Sequence, residues 1–224
     1  MSILKSQVFG GSLIGVYLVA DNEYVLYPPT LLTPFLKKFR KVFDVPFYSL
    51  TINNSKLLGI YLISNRYGII VPHIIRDDEF EKLKSQVNNS IQICQLKSID
   101  NAFGNLILCN DKGAIISSLL KDYKKEIEDT LNVETEVFEF AGSYLPGSIS
   151  LANNNGCLVH PLANDDEIER ITSILKVDET DVSTINRGVP YLSAGAIVND
   201  KSGIFGSYST GPELMRLTSI LKLY

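Results

Sequence analysis

Apolar and polar positions alternate along this chain in short blocks, and one block recurs. In "LGIYLISNRYGIIVP", residues 58–72, two apolar stretches flank a polar turn at Ser64-Asn65-Arg66-Tyr67-Gly68. The same strand, polar turn, strand pattern is read in segments 13–28, 103–117, 146–161 and 192–207. The turns read Asp-Asn, Asn-Arg, Asn-Asp, Asn-Asn and Asn-Asp, and four copies then carry Gly68, Gly113, Gly156 or Gly203. Asn, Asp and Gly tolerate the left-handed backbone that tight hairpins require. With Tyr24 in the glycine's place in the first copy, the copies follow one another at 44, 45, 43 and 47 residues.

After each hairpin the apolar period changes from two to about four. Helix starts are expected at Thr33-Pro34, Asp77, Asp122, Asn164 and Thr210, the last with a capping box to Glu213 and a proline in its first turn. Apolar residues then recur at helical spacing, as in Phe35, Phe39 and Phe43 or Ile168, Ile171 and Leu175, so each helix has one face to bury. Four helices precede a further strand, in "VPFYSLTI", "SIQICQLK", "TEVFEFA" and "TDVSTIN", whereas the fifth runs to Leu223-Tyr224. The strand-like segment 2–9 has no helix before it and is expected to complete the fifth unit. That arithmetic predicts an α/β fold of five-fold pseudosymmetry, a single domain over 1–224. Its repeats are approximately 10–51, 52–99, 100–142, 143–187 and 188–224 plus 2–9. A ring avoids the two open sheet edges of a row, and an open solenoid would need polar caps. The expectation is a five-bladed α/β propeller of repeats of about 45 residues, closed by the N-terminal strand.

Composition adds mainly exclusions. The chain has 224 residues, 45% of them hydrophobic, enough for a substantial core, and 21 basic against 25 acidic residues give a net charge of −4. No overall positive field would hold it on nucleic acid, so contact with RNA is expected to be local or beside a basic protein. No stretch reaches the length of a membrane span, and the N-terminal residues lack a signal-peptide core, so a cytoplasmic location without membrane contact is expected. Cys94, Cys109 and Cys157 are odd in number and widely separated, which suits reduced thiols.

Candidate chemistry is sparse. His73 and His160 fall in non-adjacent units, and Cys157 and His160 lie three apart on a strand and so on opposite faces. No phosphate-binding glycine loop, dinucleotide fingerprint or zincin motif is present. The reading is a protein without catalytic residues, cofactor or metal. The one dense charge run is "KKFRK" at 37–41, read as the solvated face of an amphipathic helix with RNA contact as its alternative. Arg66, Arg187 and the turn asparagines look like exposed groups suited to macromolecular recognition.

Several segments carry a more specific signal: "SNRYGIIVP" (64–72), "GNLILCND" (104–111), "NNGCLVHP" (154–161), "TINRGVPYLSAGAIVND" (184–200) and "TGPELMRLTSILKL" (210–223). Together they resemble the translation initiation factor 6 family, the ribosome anti-association factors, in its archaeal form, since nothing follows Tyr224. The resemblance implies the pentein fold. It further implies binding to the intersubunit face of the large ribosomal subunit, against interface ribosomal proteins and near the sarcin–ricin loop, so that the small subunit cannot join. A part in late large-subunit maturation is implied too, with release by the Shwachman–Bodian–Diamond syndrome protein family and an elongation-factor-type GTPase. A rigid monomer with a radius of gyration of roughly 17 Å would block a tight subunit interface by bulk alone.

In that family, ribosome contacts are associated with the loops leading into the hairpins and with the hairpin turns of one pore face. The matching positions are Gly15, Ile60, Asn65, Arg66, Asn105 and Gly195, to which Arg187 is added for its place nearby. Ile60 stands where the eukaryotic pattern has arginine. Two other functions fit a ring: a pentein-fold enzyme modifying guanidino groups, and a ring-shaped protein-binding adaptor. The enzyme needs a late nucleophilic cysteine near a histidine, and residues 188–224 contain no cysteine.

Overall fold

The computed structural model describes residues 2–223. The chain opens with β1 (Ile3–Ser6), after which five similar units follow. The first holds β2 (Val19–Ala20), β3 (Val25–Tyr27), α1 (Thr33–Phe39) and β4 (Phe47–Ser49). The second holds α2 (Leu58–Tyr61), β5 (Ile63–Ser64), β6 (Gly68–Pro72), α3 (Asp77–Gln86) and β7 (Gln92–Leu96). The third holds α4 (Phe103–Leu106), β8 (Ile107–Cys109), β9 (Gly113–Ile116), α5 (Lys124–Leu131) and β10 (Glu134–Val137). The fourth has β11 (Ser150–Ala152), β12 (Gly156–Val159), α6 (Asp165–Leu175) and β13 (Glu179–Val182), and the fifth has α7 (Leu192–Gly195), β14 (Ala196–Val198), β15 (Gly203–Gly206) and α8 (Gly211–Ile220).

Each unit builds a small open sheet of three strands. A hairpin pairs the first two strands antiparallel, and the strand after the helix lies parallel to the hairpin's second strand, as in β11-β12-β13. In the fifth sheet the third strand is β1, running parallel to β15 with Ile3 opposite Gly203 and Ser6 opposite Gly206. The middle strands are buried on both faces, which is why Gly113–Ile116 and Gly156–Val159 read as unbroken apolar runs.

The core lies between the units rather than within them. Leu26 and Leu50 of the first unit share a cluster with Leu58, Ile69 and Leu83 of the second, and Ile70 of the second packs with Phe103, Ile116 and Leu131 of the third. Ile115 and Phe140 of the third meet Cys157 and Ile171 of the fourth, and Leu158 and Ile185 of the fourth meet Phe205 and Leu217 of the fifth. Ile197 and Ile204 of the fifth then pack against Val25, Phe39 and Phe43 of the first. A single unit would expose most of its apolar surface, so each depends on both neighbours.

Two sequence expectations are corrected. The apolar stretch before each turn is not one strand: it opens as a helical turn at Ile14–Val16, in α2, α4 and α7 and around Leu145–Ile149, followed by a strand of two or three residues. Apolar runs of this length do not distinguish strand from buried helix. The helix expected from Asp122 begins instead as a tighter turn over Ser118–Tyr123, capped by the Ser117 hydroxyl, with α5 only from Lys124. The caps at Asn164 and Thr210 stand where expected, each in a capping box with Glu167 or Glu213.

Candidate functional site

The first strands of all five hairpins, β2, β5, β8, β11 and β14, face a shared central cavity of about 120 Å³ with mostly apolar walls. It has two unlike ends. One is built by the helical turns that lead into the hairpins and the other by the hairpin turns.

At the lead-in end the backbones touch. A methyl group on Gly59 would lie 1.7 Å from the carbonyl oxygen of Gly15, one on Gly104 would lie 2.0 Å from that of Gly59, and one on Gly15 would lie 1.8 Å from that of Ser193. Neighbouring units can approach this closely only because no Cβ intervenes. Ser193 occupies the fifth copy of this position, and its hydroxyl donates to the Ser148 carbonyl at 3.2 Å. Gly15, Ile60 and Asn105 gather around the opening with Leu13, Val16 and Tyr191. The Asn105 carbonyl accepts from the Gly147 and Ser148 amides, joining the third unit to the fourth. Leu13 is 42% exposed and Tyr191 49%. Ile99 and Tyr144, on other lead-in segments, are exposed as well.

The hairpin-turn end is polar and tied by hydrogen bonds between units. The Asn65 amide donates to the Asn110 carbonyl (3.1 Å) and to the Leu131 carbonyl at the end of α5 (2.8 Å). Asn110 reaches Asn153 and Leu175 in the same way, and Asn153 reaches Asn199 and Leu221. Each Asn Oδ1 meanwhile accepts the amides two and three residues on, closing its own turn, as Asn65 does for Tyr67 and Gly68. Asn199 donates to the Asp21 carbonyl at 3.4 Å, and the first unit then breaks the series, because Asp21 has no amide to donate. Its Oδ1 closes the turn, and its Oδ2 accepts from the Ser64 hydroxyl at 3.1 Å. Burial holds the Asp21 carboxyl up at about 6, against the lowering effect of the Glu23 and Tyr24 amides and the Ser64 hydroxyl.

One residue further along, a second layer crosses the opening. The amides of Asn22 and Asn154 each donate to both the Asp111 and Asp200 carboxylates, at 2.6 to 3.1 Å. Arg66 lies at this layer's edge with Nε 3.1 Å from Asp111. Two amides between two carboxylates satisfy charge that would otherwise repel.

The site residues expected from the sequence therefore divide. Gly15, Ile60 and Asn105 meet at the lead-in end, while Asn65 and Arg66 lie at the opposite end, so these positions do not share one face. A hairpin turn and the segment leading into that hairpin sit at opposite ends of the same strand. Asn65 is buried and occupied within the fold, not an exposed recognition group. Nor does it set its copy apart, since Asn110, Asn153 and Asn199 play the same part. Arg187 is exposed in a left-handed turn (φ 67°) whose amide donates to Glu213. Gly195 is buried against Ile185 and Asn186. Sequence reading passed over Leu13, Tyr144 and Tyr191 at the lead-in end and Asp21 at the other. Asp21 was legible as the one acid in a column of asparagines.

Nucleophile chemistry finds no support in the thiols. Burial pushes Cys94 up to about 11, and Cys109 and Cys157 higher still, so none is a thiolate near neutral pH. Among the described residues no group of three or more His, Cys, Asp or Glu side chains could hold a metal ion, and no helix is long and apolar enough to cross a membrane.

Fold and site thus define a protein made of five copies of one α/β unit around a shared cavity, with exposed Leu13 and Tyr191 at one end of it and a hydrogen-bonded polar layer at the other. The profile of the eIF-6 family matches residues 3–220, and the chain belongs to that family. It is 38% identical over 224 residues to translation initiation factor 6 of Methanococcus vannielii, covering 99% of each chain. Against the factor of Methanocaldococcus jannaschii the identity is 37%, over 99% of this chain and 98% of the relative. With the factor of Pyrobaculum aerophilum it is 34% over 220 residues, 98% of each. These relatives are all archaeal, and membership of this family supports a role in translation.

Proposed function

We propose that this chain is a ring-shaped anti-association factor that seats its lead-in end on the large ribosomal subunit and keeps the small subunit from joining by bulk. Family membership supports the ribosomal partner. The choice of face rests on one observation: the exposed apolar groups Leu13 and Tyr191 surround one opening, whereas polar side chains saturate each other across the opposite one. Macromolecular interfaces form around apolar and aromatic anchors, and polar groups already satisfied within a fold gain little from a partner. The five inter-unit cores, including that between the fifth unit and the first, support a closed pentein-type propeller acting as one rigid domain. A rigid face loses little entropy on docking. Removal by a partner protein with a GTPase belongs to the same proposal.

Sedimentation of the purified protein with separated ribosomal subunits tests it. The wild type is expected to travel with the large subunit and to lower the yield of joined ribosomes. L13E/Y191E, which puts two unpaired charges into the docking face, is expected to bind at least about tenfold more weakly, a loss of about 1.4 kcal/mol or more. Arg66→Glu, at the other end, is expected to bind within about twofold of wild type. Wild-type protein left at the top of the gradient would end the ribosomal reading. Loss of binding in Arg66→Glu alone would reverse the face.

A further inference from the structure

On four of the five unit helices at least one cation meets a carboxylate. Lys84 pairs with Glu81 in α3 and Lys125 with Asp129 in α5. The cations of α6 and α8 reach across to the preceding sheet's third strand, Arg170 to Glu136 of β10 and Arg216 to Asp181 of β13. Lys82 of α3 reaches the Ser49 hydroxyl of β4.

Helix α1 and the residues just after it break this pattern. Lys37, Lys38, Arg40 and Lys41 are all exposed, and none of them has an ion pair among the described residues, Asp44 included. Arg40 only lies over the Phe47 ring, 5.6 Å from its centroid. The register gives the reason. Lys5 of β1 stands opposite Phe205, the place that Glu136 holds opposite Ile115 and Asp181 holds opposite Leu158. Where β10 and β13 supply a carboxylate, β1 supplies a lysine whose ammonium donates to the Ser209 carbonyl at 2.6 Å, and β1 packs through Leu4 on the same apolar cluster as α1. Exposed Lys201 stands next to Ser202, whose hydroxyl donates to the Val42 carbonyl just past the helix.

At 100° per residue the four cations cover one side of the helix, and they lie within about 6 Å along its axis. The other side, with Phe39, Val42 and Phe43, is buried in the core between the fifth and first units. We propose that the cationic face of α1, with Lys201 beside it, binds the phosphate backbone of RNA. Spaced point charges on flexible stems neutralise a line of phosphates without reading bases. A lipid surface fits worse, since a membrane-bound helix needs a free apolar face and α1 has spent its own on the core.

Titration of a fluorescein-labelled RNA duplex of about 20 base pairs, followed by anisotropy at about 50 mM KCl, decides the matter. The wild type is expected to bind, K37Q/K38Q/K41Q to bind at least about tenfold more weakly, and K37R/K38R/K41R to stay within about twofold. The slope of log affinity against log salt is expected to fall by about 2 to 3 in the glutamine variant, near 0.9 for each phosphate no longer neutralised. All three positions are exposed, so circular dichroism should show an unchanged fold. Equal titration of wild type and glutamine variant overturns the proposal, as does a wild type that ignores the duplex or prefers polyglutamate. Subunit sedimentation is read separately: its failure would remove the ribosomal reading and leave the duplex result standing.

Discussion

Gly59→Ala is expected to lower the stability of this protein by about 3 kcal/mol or more, or to prevent folding altogether. Glycine's low helix propensity would suggest the opposite, since alanine is the better helix former by about 1 kcal/mol. The close contact outweighs that gain. The added Cβ would sit 1.7 Å from the Gly15 carbonyl oxygen, a backbone atom that cannot swing aside as a side chain can. Relief requires separating the first unit from the second, and the core between them, with Leu26, Leu58 and Ile69, opens with it. Gly211→Ala is the matched control, because a Cβ there meets nothing within 4 Å, and it is expected to stay within about 0.5 kcal/mol of wild type. Urea unfolding of both variants makes the comparison, and equal midpoints would refute close approach as the reason for the glycine.

The second large effect has the opposite sign. Asp21→Asn is expected to stabilise the protein near pH 7 by about 3 kcal/mol, raising Tm by about 6 °C or more. In the fold the Asp21 carboxyl is held up at about 6, against an ordinary value of 3.8. The native state therefore keeps this proton more tightly than the unfolded chain does. The associated stability is complete below about pH 4 and is lost as pH rises through about 6, so the wild type meets neutral pH with the penalty in full. Asparagine removes the charge and keeps Oδ1 for the Glu23 and Tyr24 amides. It also supplies the amide donor that Asn65, Asn110, Asn153 and Asn199 already use. Melting curves near pH 7 and near pH 5 should show the advantage shrinking on acidification. Glu213 does not confuse this window. Burial raises its carboxyl, but hydrogen bonds from Thr210, Gly188 and Arg187 outweigh that and bring it down to about 2, so its loss falls at lower pH. A variant no more stable than wild type at pH 7 would refute the argument.

Both effects arise where neighbouring units meet, which separates what spacing along the chain reveals from what it hides. The five hairpins, their interval and the strand that completes the last sheet were all visible, because periodicity and turn chemistry are local properties. The caps of α6 and α8 were visible for the same reason. The helical turns at Ile14–Val16 and in α2, α4 and α7 were not, since four or five apolar residues suit a strand and a buried turn equally. The site suffered from another gap. Asn65 looks exposed when a turn is read alone, and only the neighbouring unit's carbonyls, at 2.8 and 3.1 Å, reveal where its amide goes.

By itself, then, the sequence determined the repeat, its count, the succession of hairpin, helix and further strand in each unit and the likeness to one family, because these follow from spacing along the chain. The tertiary structure alone decided which residues share an end of the cavity, which glycines face a neighbour's carbonyl, why Asp21 carries a raised pKa, and why the α1 cations lack carboxylates. Each of those depends on contacts between residues far apart in the chain, as in the 1.7 Å approach of a Gly59 methyl to Gly15 or the bond from Asn65 to Asn110. No local pattern encodes such a distance, since it is set by how the units pack.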